Sequence, residues 1–284
     1  MRSSYQFIFA MSSYLFNYAR PPAAPGEFRH LMKVIDKLYE IGETFDYTEA
    51  TQCAGGLKVG FFIKARKAHE ALSEAEDKVS YSREKGTELQ ELISMANKAE
   101  SQQLVGDIEG AHDSILKASE IYKKQTSTVV RLFVAPYIAT RFFLYVEQLK
   151  HAIRSESSSE VVNLRKPTYE AGKAAVRNST KYAPYRTKVL RLMGLYSWII
   201  GKQGNALKWW GRTIEEGERL GARPDLSRTY FEVGKRLLEP QSKYEELNGI
   251  EAKGYLDKAE ILFEEMGLER DIDDLDRLKA DYGL

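Results

Sequence analysis

Apolar residues recur at helical spacing along most of the chain, and the clearest case is the stretch 190–221. In its first half Leu190, Met193, Gly194 and Ser197 fall at helical spacing. In its second half Ala206, Trp210, Thr213 and Ile214 do the same, after a polar turn at 202–205. Gly194 and Ala206, twelve residues apart, let two antiparallel backbones approach closely, while Leu190 and Trp210 fill the space beside that contact. The pattern returns downstream. Tyr230, Val233, Gly234 and Leu237 repeat the first half, and Ala259 and Phe263 stand for Ala206 and Trp210. Gly234 to Ala259 is 25 residues, so 239–250 reads as an insertion into the second copy.

The remaining chain predicts helices over 5–18, 27–44, 48–71, 87–104, 108–123, 129–153 and 161–178. Leu31, Val34, Ile35, Leu38 and Ile41 form the stripe of the second of these. Residues 74–100 are charged and weakly striped, with Gly86 as an interruption, and read as one or two solvated helices. The proline-rich 21–26 and the polar 155–159 read as linkers, and Pro136 and Pro167 as points of bending. The pattern divides the chain into 1–26 (an N-terminal helix and break), 27–122 (the N-terminal half of an array) and 123–284 (its C-terminal repeats and acidic end).

Paired helices with a small residue in each are the physical recipe of a tetratricopeptide-type hairpin. The expected fold is therefore all-α: a tetratricopeptide-like α-solenoid of roughly five or six antiparallel hairpins. Gly194 to Gly234 is 40 residues against the usual ~34, so the repeats are degenerate and lengthened.

Over 190–275 the chain resembles the C-terminal helical-repeat region of large bacterial multidomain signalling proteins. These carry a nucleotide cyclase or protein kinase domain, a P-loop ATPase and then a tetratricopeptide-like array. The marking residues are Trp209-Trp210, Leu220 to Pro224, Tyr230, Gly234 and Phe263 to Met266. The resemblance implies a non-catalytic interaction or regulatory array, standing alone or as part of a longer or split signalling enzyme. The chain departs from the whole architecture: it has no Walker A pattern, no kinase glycine-rich loop with its Lys and Asp, and no evident cyclase domain. The run Gly55 to Gly60 lacks the Gly-Lys-Ser/Thr ending that holds a nucleotide.

A net charge of +1 conceals segregation: 1–122 carries a net −4, 123–238 a net +13 and 239–284 a net −8. A basic middle beside an acidic end has two readings, an anionic partner on the middle or the acidic end folded back over it. The single cysteine, Cys53, excludes an internal disulfide and suits a reducing compartment, and its small neighbours make it a packing residue. The apolar 5–19 is interrupted by Ser12, Ser13 and Asn17, and 129–146 carries Arg131 and Arg141, so neither reads as a membrane span. The expected location is cytoplasmic.

Catalytic chemistry is not expected. His30, His69, His112 and His151 are scattered without ligand spacing, and the acidic 269–276 lacks the Gly and Glu of a calcium loop. No nucleophile signature occurs, and no cofactor is expected. Trp198, Trp209, Trp210 and Tyr196 read as repeat core, with Trp209 and Trp210 pointing about 100° apart. The candidate partner-binding residues come from hairpin geometry, in which the first helix lines a concave face. Counting from Gly194 they are Lys188, Arg191 and Leu195; counting from Gly234 they are Arg228, Phe231 and Lys235. Four cations with two apolar residues suit an acidic protein or peptide segment. A separately encoded signalling enzyme is the alternative partner. Nucleic acid on the basic middle is the second alternative, with no recognised nucleic-acid-binding signature to focus it.

Overall fold

A computed structural model describes residues 25–85, 88–124 and 131–284. Packing divides the chain into two compact units, Met1–Thr140 and Arg141–Leu284. The expected helix over 5–18 and the Gly86 interruption lie outside the described residues, as does the proline break up to residue 24.

The first unit holds α1 (Pro25–Thr44), α2 (Thr48–Lys64), α3 (Ala68–Glu84), α4 (Glu88–Val105) and α5 (Ile108–Lys124). Helix α6 (Arg131–Arg154) begins in this unit and ends in the second. Each of α1 to α4 packs on the next, and α2 also meets α4. Leu31, Ile35 and Leu38 of α1 close over Ala50, Ala54 and Phe61 of α2. Burying such apolar faces, at about 25 cal/mol per Å², is what holds helices whose own propensity is modest.

The second unit continues with α7 (Ser158–Ser179), a 3-10 turn (Ala183–Tyr185), α8 (Arg186–Ile199), α9 (Gln203–Leu220) and α10 (Arg223–Leu238). A two-residue β-hairpin, β1 (Glu246–Leu247) with β2 (Ile250–Glu251), precedes α11 (Ala252–Met266) and α12 (Glu269–Tyr282). Each of α7 to α11 packs on its successor, while α8 meets α10 and α10 meets α12. Contact with the next helix and the next but one is the neighbour pattern of a helical repeat, and the fold is all-α, with the small hairpin inside the inserted loop.

The core of this unit confirms the small-large pairing. Trp210 is 0% exposed, and a methyl group on Gly194 would lie 2.2 Å from its Nε1. Gly234 is also too tight for a side chain, with Leu256 Cδ2 2.7 Å from the same notional atom. Ala259 and Phe263 occupy the places of Ala206 and Trp210, and Trp198 tilts against Trp210 at 5.6 Å. Trp209 lies half-buried under the Arg212 guanidinium, 5.0 Å away.

One backbone device closes seven of the interhelical turns. A residue with φ between 47° and 87° stands just past the helix, at Asp46, Arg66, Gly106, Glu156, Gly201, Gly221 and Gly267. At each, the following N–H donates to the carbonyl five residues before it, at 2.8 to 3.0 Å: a Schellman turn. Arg66 explains the main departure from expectation. The single helix expected over 48–71 is two, α2 and α3, turned at 65–67 by an arginine in a conformation usually left to glycine. The weakly striped 74–100 resolves into the end of α3 and the start of α4. The boundary between the two units falls within α6.

Candidate functional site

Helices α8 and α10 lie side by side in the second unit, and the six candidate residues fall on them in two lines. On α8, Lys188 and Arg191 are half-buried, but Leu195 is only 3% exposed. Leu195, expected to face a groove, instead belongs to the packed interior, because α8 is covered along most of its circumference from Thr187 to Trp198. On α10, Arg228, Phe231 and Lys235 are all half-buried. Phe231 leans on Phe263, ring centroids 6.3 Å apart.

The cations differ in what they already hold. Arg228 grips Asp271 with two bonds, Nε to Oδ1 at 3.0 Å and Nη2 to Oδ2 at 2.6 Å. Arg191 reaches Asp225 only loosely, Nη2 to Oδ1 at 4.0 Å, and its buried Nε has no acceptor among the described residues. Lys188 places its ammonium 5.3 Å from the Phe143 ring centre. Lys235 makes no ion pair among the described residues.

Asp225 and Asp271 occupy equivalent places, each the third residue of the next helix in the same layer, where the helix N-terminus favours a carboxylate. Beside them Arg236 binds both Glu232 and Glu239, and Glu239 also accepts the Trp198 indole N–H at 2.8 Å. Burial would raise the Glu232 carboxyl, but Arg236, Lys150 and Arg191 together hold it below its ordinary value. Arg223 pairs with Glu265. The acidic 239–284 thus supplies partners to three arginines of α10, so part of the basic surplus is neutralised inside the unit.

A second site, in the first unit, was not expected from the sequence. Lys78 of α3 is 5% exposed and donates from Nζ to Gln52 Oε1 at 2.9 Å and Ser94 Oγ at 3.2 Å, both neutral acceptors. Burial pushes its ammonium down to about 8, against an upward pull from Cys53. Gln52 is 3% exposed, and its Nε2 has no acceptor among the described residues. Lys78 and Gln52 line a cavity of about 140 Å³ whose wall includes Tyr39, Gly55, Glu74 and Asp77. Glu74 is held by Lys58 at 2.6 Å and by the Tyr39 hydroxyl at 2.8 Å. The lysine stem runs along Gly55 and Gly56, where a methyl group would touch it at ordinary contact distance, 3.6 and 3.4 Å. The sequence does carry a sign of this site: 71, 75, 78 and 82 are one inward stripe, and Lys78 and Ser82 stand in it beside Ala71 and Ala75.

Among the described residues no helix is long and apolar enough to cross a membrane, and no group of His, Cys, Asp and Glu is placed to hold a metal ion. Compared with known proteins, the chain matches no family model and no curated sequence.

Proposed function

We propose that the chain is a non-catalytic, helical-repeat module that binds an acidic segment of a partner protein across the α8 and α10 face. The observation that carries this reading is Arg191. Its guanidinium is held in place by packing, yet among the described residues one buried donor lacks an acceptor and its only ion pair is 4.0 Å long. A carboxylate arriving between Lys188 and Lys235 would complete it with charge-assisted bonds, while Phe231 offers apolar contact. Arg228, engaged by Asp271, positions the face in this reading and does not meet the partner. The resemblance over 190–275 supports a place in cytoplasmic bacterial signalling, as an array of tetratricopeptide type that works beside a catalytic protein.

The test is capture from cell lysate with the wild type beside Lys188→Glu/Lys235→Glu and Arg191→Gln, all shown equally helical by circular dichroism. A protein retained by the wild type and lost from both variants, whose acidic segment then binds as a synthetic peptide, supports the reading. If that protein is a cyclase, kinase or ATPase, the module is a regulatory one. Identical capture by all three overturns the assignment of the face. Retention of nucleic acid that falls steeply with salt places the function on the wider basic surface instead.

A further inference from the structure

The Lys78 cavity leaves two demands unmet. Among the described residues a buried ammonium has only neutral partners within hydrogen-bond reach, and a buried charge without a counter-charge is among the costlier features a fold can carry. Next to it the Gln52 amide points a buried N–H₂ at no acceptor among the described residues. The amide cannot be turned to cure this, because its oxygen already accepts from Lys78 and from Ser82 at 3.2 Å. Both demands call for the same thing, a negatively charged oxygen acceptor, and both residues line the same cavity.

We infer that this cavity, formed among α1, α2 and α3, is a binding site for a small monocarboxylate, whose oxygens take the free Lys78 and Gln52 donors. The surroundings select the charge. One ammonium balances one negative charge, and Glu74 and Asp77 on the wall repel a dianion such as phosphate more strongly than a monoanion. A cationic ligand is disfavoured by Lys78 itself, and the Tyr39 ring already has the Lys58 ammonium 5.9 Å from its centre. The ion pair of Lys58 with Glu74 belongs to the cavity wall and leaves Lys78 as the cation without a carboxylate partner there. This site lies in the first unit and does not depend on the partner-binding face.

The experiment follows the thermal transition and binding heat of the full chain with acetate, acetamide and inorganic phosphate as probes at matched ionic strength. Acetate is expected to bind saturably and raise the transition temperature, with acetamide and phosphate giving little. Two variants make the result specific. Lys78→Met removes the charge with a side chain of similar length, and Gln52→Glu supplies the missing carboxylate from the chain itself. Each is expected to abolish the acetate effect, and Gln52→Glu to raise the transition temperature without any probe. Acetate binding that survives in Gln52→Glu, equal effects of acetamide and acetate, or no saturable binding of acetate at tens of millimolar would each overturn the site.

Discussion

Arg228 and Asp271 meet through two parallel bonds across 43 residues of sequence, with side chains only 15% and 5% exposed. Geometry of this kind separates a fork-to-carboxylate pair from an ordinary surface ion pair. Removing the arginine would take its cationic fork from a buried Asp271, so Arg228→Ala is expected to cost about 3 kcal/mol. Asp271→Asn, which keeps shape but loses charge, should cost about 2 kcal/mol. In the double variant the losses should be well below additive. All three tryptophans, Trp198, Trp209 and Trp210, lie in the second unit, so urea unfolding followed by their fluorescence reads this unit directly. Additive losses would mean that the two side chains do not interact.

Gly194 tests the close approach of α8 and α9. Alanine is the better helix former by about 1 kcal/mol, so a free surface position would gain from Gly194→Ala. Here the added methyl would sit 2.2 Å from Nε1 and 2.4 Å from Cδ1 of Trp210, a ring that is fully buried and cannot swing away. Overpacking of about 3 kcal/mol should win, leaving a net loss of about 2 kcal/mol. Trp210→Phe should cost less in the Gly194→Ala background than in the wild type. A neutral or stabilising Gly194→Ala would show that the two helices are further apart than described.

The Schellman turns give a prediction of opposite sign. Glu156 holds φ at 54° in an exposed turn between α6 and α7, where a side chain is strained and glycine is not. Glu156→Gly should stabilise the second unit by about 0.5–1 kcal/mol, although it loosens the unfolded chain. Gly221→Ala, at φ 62°, should destabilise by about 1 kcal/mol. Fluorescence-detected midpoints of both variants decide it, and a shift of the same sign in both would remove the conformational explanation.

These turns also mark how far the sequence could be read. Where glycine fills the left-handed position, as at Gly106, Gly201, Gly221 and Gly267, the helix ends were legible within a residue or two. Where Arg66 fills it, nothing in the local sequence announces a stop, and two helices were read as one. The pairing of Gly194 with Trp210 and of Gly234 with the α11 core was legible because side-chain volume must alternate where backbones touch. The candidate face was less so. Helical spacing places Lys188, Arg191, Arg228, Phe231 and Lys235 on their lines, but it does not say that Asp225 and Asp271 arrive from later helices. Nor does it say that Leu195 is already covered. Pairing across 34 or 43 residues depends on how one helix stacks on the next, which no local pattern carries.

Lys78 gives a prediction tied to pH. Its folded value of about 8 lies below its ordinary 10.5, so between those limits the unfolded chain holds more of this proton than the folded one. Below pH 8 the lysine is charged in both states, and the fold bears the whole cost of burying that charge, about 3 kcal/mol. As pH rises through this window the cost is relieved, and above 10.5 it is gone. The groups around Lys78 are Cys53 and Lys58 of α2, Tyr39 of α1, Glu74, Asp77 and Tyr81 of α3, and the neutral Ser94 of α4. Since they are shared by Lys78→Met, the comparison isolates the lysine. That variant should be the more stable near neutral pH, and its advantage should shrink steadily as the solution becomes alkaline. Calorimetry of the two proteins across that range measures the difference. An advantage that stays constant with pH would show that the lysine keeps its ordinary proton affinity in the fold, with water or another charge reaching it.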